Sequence, residues 1–130
     1  MRFVLPDEDG VAHMRRVIEA VAAPKVHRVL DYVRRPRPTG YRAVHVELKE
    51  SIGLAVEVQL RTWAQNEWAN AVESFERPSG ALLKGGEGPP AVLERFAQGA
   101  AEVAELEPGD RDAQQRAIEH MIRDVARLLR

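Results

Sequence analysis

Two runs of alternating residues, joined by a short turn ending in glycine, constrain this chain more than any other feature. From Ala43 to Lys49, Val44, Val46 and Leu48 fall on one side and His45, Glu47 and Lys49 on the other. From Leu54 to Arg61, Leu54, Val56, Val58 and Leu60 oppose Ala55, Glu57, Gln59 and Arg61. A period of two belongs to a strand with one buried face, and two such runs around a turn predict a β-hairpin. A loop of Ser51-Ile52-Gly53, with Gly53 at positive φ, sets Leu48 beside Val56, Val46 beside Val58 and His45 beside Gln59. That register keeps each face chemically uniform, as a half-buried sheet requires. It also places Glu47 opposite Glu57, and like charges directly across a ladder are destabilising. A face carrying His, Glu, Gln and Arg is therefore predicted to do more than meet water.

The remaining elements come from local signals. Arg2 to Leu5 reads as a short strand that stops at Pro6, after which apolar residues recur at Val11, Met14, Val17, Ile18, Val21 and Ala22 with the helical period. Asp7 or Asp9 is placed to cap that helix and Pro24 to end it. Lys25 to Val33 fits either a helical turn or a strand, and is taken as extended. Thr62-x-x-Gln65 is a capping box, opening a helix that buries Ala64, Trp68, Ala71, Val72 and Phe75. Residues 77–90 are rich in glycine and proline and predict a flexible loop. Two helices come after it, at about 90–106 and 111–129, with Val92, Leu93, Phe96, Ala100 and Val103 inward on one and Ile118, Met121, Ile122, Val125 and Leu128 on the other. The turn Glu107-Pro108-Gly109-Asp110 is short enough to make them antiparallel. The expectation is an α+β fold: a small mixed sheet flanked by helices over 1–76, the loop 77–90, and a helical pair over 91–130 packing on the same domain.

A chain of 130 residues supports one modest core. Its formal net charge is −1, so it is not a general polycation, and any nucleic-acid contact must be local. No cysteine is present, which excludes disulfides and thiolate chemistry and suits a reducing cytoplasm. No stretch approaches the roughly 20 apolar residues that span a membrane, and the acidic N-terminal stretch is not a signal peptide. The four histidines lack metal-ligand spacing.

Positive charge gathers instead in one loop, "RRPRPTGYRAVH" at residues 34–45. Arg34, Arg35, Arg37 and Arg42 suit bidentate contacts to phosphate. Tyr41 offers a flat face for a nucleobase. Glu57 is a candidate general base or cation ligand, with Glu47 near it. Taken singly, each has a plain reading: a solvated loop, a packed ring, a wet sheet face. Together, arginines, one aromatic ring and one acid on a contiguous surface suit the phosphates, base and hydroxyl of a nucleotide.

The segment "DYVRRPRPTGYRAVHVELKESIGLAVEVQLRTWAQNEWA" (31–69) resembles the second half of the RelA/SpoT nucleotidyltransferase domain, the (p)ppGpp synthetase fold. The resemblance rests on Asp-Tyr before a proline-rich basic loop, then Gly-Tyr-Arg-x-x-His, then Val-Glu-x-Gln-x-Arg-Thr, then a helix with Trp-Ala, and covers about residues 2–75. It implies alarmone metabolism in the stringent response, in which pyrophosphate passes from ATP to the 3′-hydroxyl of GDP or GTP with Mg²⁺. Carried over by position, Tyr41 stacks on guanine, Arg37 stands where the family has a phosphate-meeting lysine, and Arg42, His45, Gln59 and Arg61 line the acceptor pocket. Glu57 becomes the acid that activates the 3′-hydroxyl and helps to place the metal.

Arg2-Phe3-Val4 resembles the end of the family's Asp-x-x-Gly-x-Arg segment, whose aspartate binds Mg²⁺, with Arg2 at the final arginine. The resemblance therefore implies that the ATP half is missing from this chain, which by itself transfers little, and that Met1 is internal to a longer gene or the chain works as an oligomer or with a partner that supplies the other half. Two alternatives accompany this expectation: an inactive guanine-nucleotide-binding or regulatory module, and a toxin-type relative acting on another 3′-hydroxyl such as that of tRNA. The basic loop permits the second without requiring it.

Overall fold

The alternating runs pair as the hairpin they predict. In the computed structural model, which describes residues 1–106 and 108–130 and only the backbone at Ser79, strands β3 (Val44–Lys49) and β4 (Ala55–Thr62) are antiparallel. Their register sets Val46 against Val58, Leu48 against Val56, His45 against Gln59 and Glu47 against Glu57, as expected. The Glu50 amide bonds to the Leu54 carbonyl across Ser51-Ile52-Gly53, and Gly53 takes φ of 85°. Two further strands complete the sheet: β1 (Arg2–Leu5) runs parallel to β4, and β2 (Val26–Asp31) antiparallel to β3, in the order β1-β4-β3-β2. The sheet is mixed and flanked by helices, the α+β class the sequence predicts.

Helix α1 (Glu8–Val21) starts where Asp7 accepts a bond from the Gly10 amide. It lays Val11, Met14 and Ile18 on Val44, Val46, Val58 and Leu60, forming a first apolar cluster on one sheet face. Pro24 ends it in a 3-10 turn at Ala23–Lys25, so the ambiguous segment is extended from Val26. The Thr62 capping box is present in both directions and opens α2 (Trp63–Ser79). With α3 (Pro90–Glu105) and α4 (Arg111–Leu128), this helix forms a second cluster around Trp68, Val72, Phe96, Met121 and Val125. Among the described residues no helix is long and apolar enough to cross a membrane.

Three expectations need correction. Helix α2 runs through Pro78 to Ser79, because a proline in the last turn forfeits only one backbone bond, and Gly80 then closes the helix at φ 70° with its amide on the Glu76 carbonyl. Residues 83–85 form a 3-10 turn anchored by Leu83, which is only 4% exposed. Leu128, expected inward, is 50% exposed, since it lies in the last turn of α4, outside the helical cluster. The α3–α4 turn includes Glu107, which lies outside the described residues.

The basic loop is tied to the sheet and to the helices. Tyr32 donates its amide to the Ala43 carbonyl and Arg37 to that of Tyr41, extending the β2–β3 pairing, while the Asp31 carboxylate caps the amides of Val33 and Arg34. Gly40 sits at φ 93°, where a Cβ would stand 2.8 Å from the Ala100 Cβ and 3.0 Å from the Ala97 Cα. Its lack of a side chain lets the loop rest directly on α3. Gly40→Ala combines left-handed strain with overpacking against a helix backbone, and should destabilise the protein by about 2–4 kcal/mol in urea unfolding. A change below about 0.5 kcal/mol would mean that the loop does not bear on α3 in solution.

Candidate functional site

The polar face of the hairpin lies on the side of the sheet away from α1. At its centre is Arg61, only 2% exposed. Its Nη2 donates to the Tyr41 hydroxyl at 2.9 Å and to Gln59 Oε1 at 3.1 Å, while Nε and Nη1 have no hydrogen-bond partner. Among the described residues no carboxylate forms an ion pair with it. A buried cation with unused donors is expensive unless an anion comes to it.

Two chains of polar contacts lead away from Arg61. A guanidinium can only donate, so the Tyr41 oxygen accepts from it, and the same hydroxyl meets His45 Nε2 at 2.7 Å. The other ring nitrogen, Nδ1, faces Glu57 Oε2 at 3.5 Å, and a neutral ring with its proton on that side, toward the carboxylate, leaves Nε2 to accept from the Tyr41 hydroxyl. A second bridge runs through Gln59, whose Oε1 accepts from Arg61 and whose Nε2 donates to Glu57 Oε1 at 2.7 Å. One hydrogen-bonded arm through Gln59 and the longer His45 contact thus flank the half-exposed Glu57 carboxylate, which lines a hollow of its own with His27, Glu47 and Lys49. Strand period explains the layout, since residues 57, 59 and 61 project to one face of β4 and His45 to the same face of β3.

Five of the expected site residues, Arg37, Tyr41, His45, Gln59 and Arg61, line one open cavity of about 260 Å³. Arg2 from β1 and Lys84 and Gly85 from the turn after α2 complete it, and local patterns carry no sign of these three. Every formally charged group lining this cavity is a cation. The Arg37 guanidinium donates to the Tyr32 hydroxyl at 2.8 Å and lies 4.5 Å above the Tyr32 ring and 5.9 Å from that of Tyr41. Tyr32 also meets the edges of Tyr41 and His45, so three rings pack together where the sequence points to the one ring of Tyr41.

Other expected residues are placed elsewhere. Tyr41 is not an exposed platform: it is 7% exposed, because its ring packs in the helical cluster while its hydroxyl faces Arg61. Arg42 does not join the cavity. It comes directly after Tyr41 in extended backbone, where neighbouring side chains diverge, and points into a separate cavity with Asp7, Glu8, Thr62 and Gln65. Arg34 and Arg35 line a third hollow beside Arg15 and Asp31. Glu47 stands across from Glu57 as the register requires, but its carboxylate is taken by Arg28, at 3.1 and 2.8 Å, which holds it below the usual carboxylate range. The predicted clash of like charges is relieved by the third strand.

That commitment bears on metal binding. A divalent cation takes oxygen ligands, and Mg²⁺ accepts one or two carboxylates when phosphates supply the rest. Among the described residues no group of three or more His, Asp or Glu is placed to hold a metal, and Glu57 is the one acid of the pair left uncommitted to an arginine. These residues do not form a Mg²⁺ site by themselves.

His45 titrates low. Burial is the main cause, the charges of Arg61 and Arg37 add to it, and Glu57 opposes it. The folded chain thus holds neutral histidine more firmly than the unfolded chain, whose value is near 6.5. The stability drawn from neutral His45 is full above that value and is lost as pH falls below it. Glu73 and Asp124 are depressed by Lys84 and Arg95, so their contribution is lost only in acid below about 4.5. Urea midpoints should therefore fall between about pH 7 and 5.5, and His45→Gln should flatten that interval while leaving the acid limb. A wild-type midpoint unchanged over that interval would contradict a buried neutral His45.

The fold has known counterparts. Residues 1–75 match the family described as a region found in RelA / SpoT proteins. Small alarmone synthetase 2 from Bacillus subtilis superposes with a TM-score of 0.61 at 21% identity, over 79% of this chain and 56% of that one. Small alarmone synthetase 1 from Bacillus subtilis, bound to its product pppGpp, gives 0.62 at 22%, over 92% and 60%. A GTP pyrophosphokinase family protein from Streptococcus pneumoniae gives 0.56 at 23%, over 97% and 62%. The chain thus spans about three-fifths of the length of these structures, and at such identities the likeness is one of fold. No curated protein matches the chain.

Proposed function

The chain belongs to the RelA/SpoT family, and from that premise we propose that its cationic cavity is the acceptor site of alarmone synthesis, taking GDP or GTP. The observation that carries this reading is Arg61, a buried guanidinium with unpartnered donors in a cavity whose charged lining is wholly positive. A nucleoside polyphosphate supplies the missing negative charge, and the Arg37 guanidinium, stacked over the Tyr32 ring with the buried Tyr41 ring nearby, offers a flat cationic face for a base. Guanine as that base, and the 3′-hydroxyl as the group nearest Glu57, are inferred from the family.

In this reading Glu57 receives the 3′-hydroxyl proton as that oxygen attacks the β-phosphorus of ATP, the bond from β-phosphorus to the bridging oxygen breaks, and AMP departs. The residues of this chain orient the base: Gln59 and His45 present the Glu57 carboxylate, and Arg61 ties both to the phosphate-binding floor. Mg²⁺, which the family uses, would find one protein ligand here in Glu57, its others being phosphate and water oxygens. Of the family's ATP half only Arg2 has a place in this cavity, so binding of the acceptor, rather than transfer, is the activity proposed for these 130 residues.

Calorimetric titration of the chain with GDP and GTP tests the proposal, with ATP as the control. Arg61→Met is the informative variant. Removing a guanidinium that lacks a carboxylate partner should leave the melting temperature level or raise it, while loss of charged hydrogen bonds to phosphate should weaken GDP binding about 10- to 100-fold. No heat from wild type at millimolar nucleotide, or an Arg61→Met variant that binds GDP unchanged, would overturn the assignment.

A further inference from the structure

The cavity has a wall that the family match does not reach. The turn at Leu83–Gly85 lies beyond residues 1–75, yet it delivers Lys84 to the same space as Arg2, Arg37 and Arg61. The delivery is built into the turn. Leu83 is locked in the helical cluster, and the Lys84 amide donates to Glu76 Oε1 at 2.8 Å. Gly86 and Gly88 come next at φ 90° and 136°, turning the chain back toward α3. Only the Lys84 side chain is then free to face the cavity, and its ammonium is held by the Glu73 carboxylate on α2.

Glu73 also bears on the charge balance. Arg2, Arg61 and Lys84 all act on its carboxylate and together hold it below the usual range, with the Lys84 hydrogen bond as the largest cause. It does not line the cavity but stands behind the cations that do. Four like charges around one small space repel each other, and a carboxylate on the outer side relieves this only in part. A di- or triphosphate within the cavity would relieve it directly, and Lys84 is the cation on a flexible stem that can change partner.

We propose that Lys84 is a phosphate-binding residue of this site, exchanging Glu73 for the phosphate chain of the acceptor nucleotide. The proposal rests on the acceptor-site reading for the nucleotide, and on the turn's own geometry for the lysine. It makes the segment after α2 part of the binding machinery, and gives the chain a phosphate contact outside the family-matched region.

The test uses the 130-residue chain and four probes: inorganic pyrophosphate, GDP, GTP and guanosine. Lys84→Gln should weaken pyrophosphate, GDP and GTP about tenfold, Lys84→Arg should stay within about twofold of wild type, and guanosine should be unaffected by either. Binding of pyrophosphate without preference for guanine nucleotides would sink the acceptor reading while leaving the lysine assignment standing. Unchanged pyrophosphate and GDP affinities in Lys84→Gln would sink the lysine assignment alone. Equal losses for guanosine and GDP would also overturn it, since that pattern means a collapsed cavity, and no binding of any probe by wild type would defeat both. Should Lys84→Gln fail to fold, Glu73→Gln carries the test: freeing the ammonium should tighten GDP about threefold, and no tightening would count against the exchange.

Discussion

The site is organised around one guanidinium placed where charge is costly. Arg61 sits at the C-terminal end of β4, enclosed by the sheet and the helical cluster, and has only neutral acceptors as partners, the Tyr41 hydroxyl and the Gln59 carbonyl oxygen. Because the guanidinium cannot accept, both oxygens it meets must accept from it. Gln59 must then turn its amide nitrogen to Glu57, while the Tyr41 hydroxyl carries the contact on to His45. A single cation thus links Tyr41, His45, Gln59 and, through Gln59, the one acid of the facing pair left uncommitted to an arginine. A neutral residue at 61 would leave Tyr41, His45 and Gln59 free to adopt other arrangements, so the costly charge also specifies a unique network.

That network needs two cores rather than one. The first, under α1, fixes the hairpin register through Val44, Val46, Val58 and Leu60, and a slip of one residue would turn Gln59 and Arg61 toward α1. The second, among α2, α3 and α4, closes over Tyr41 and Ala43 at the point where the basic loop returns to the sheet. Gly40 and the capping box at Thr62 stand at the junction, one letting the loop touch α3 and the other turning β4 directly into α2. The helices that come after the sheet in sequence are therefore part of the site's construction, since they bury Tyr41 and carry the turn that brings Lys84.

The parts legible in the sequence are those governed by neighbours. The hairpin register, the Gly53 turn and the Thr62 box depend on residues within a few positions of each other, and the structure has them as read, while of the two cap candidates, Asp7 and Asp9, it takes Asp7. Arg42 shares a basic loop with Tyr41, yet the parity that places the hairpin residues sends Arg42 to the opposite side. Tyr41 reads as exposed because the helices that cover it arrive from beyond residue 63. The relief of the Glu47–Glu57 pair depends on Arg28, one strand over, and Lys84 reaches the cavity only because Leu83 is anchored among helices distant in sequence. No local pattern carries information of that range.

Composition hides the cavity's field for a related reason. A net charge of −1 implies no general attraction for anions, yet the acids near the sheet are mostly committed elsewhere. Glu47 is held by Arg28 on the exposed side of β2, Asp31 by Arg15 across from α1, and Asp124 by Arg95 between α3 and α4. Each of these pairs cancels locally and leaves little field beyond about 10 Å at ordinary ionic strength. What survives is the unbalanced group: Arg2, Arg37, Arg61 and Lys84 around one hollow, with Glu57 reached only through Gln59 and Glu73 paired with Lys84 from outside the lining. In a partly enclosed space such cations are screened less than surface charges, so a nearly neutral chain can still present a strongly anion-seeking site. The nearest uncommitted carboxylate, Glu57, meets this group through Gln59 rather than from within the hollow, so the charged lining of the hollow itself stays wholly positive.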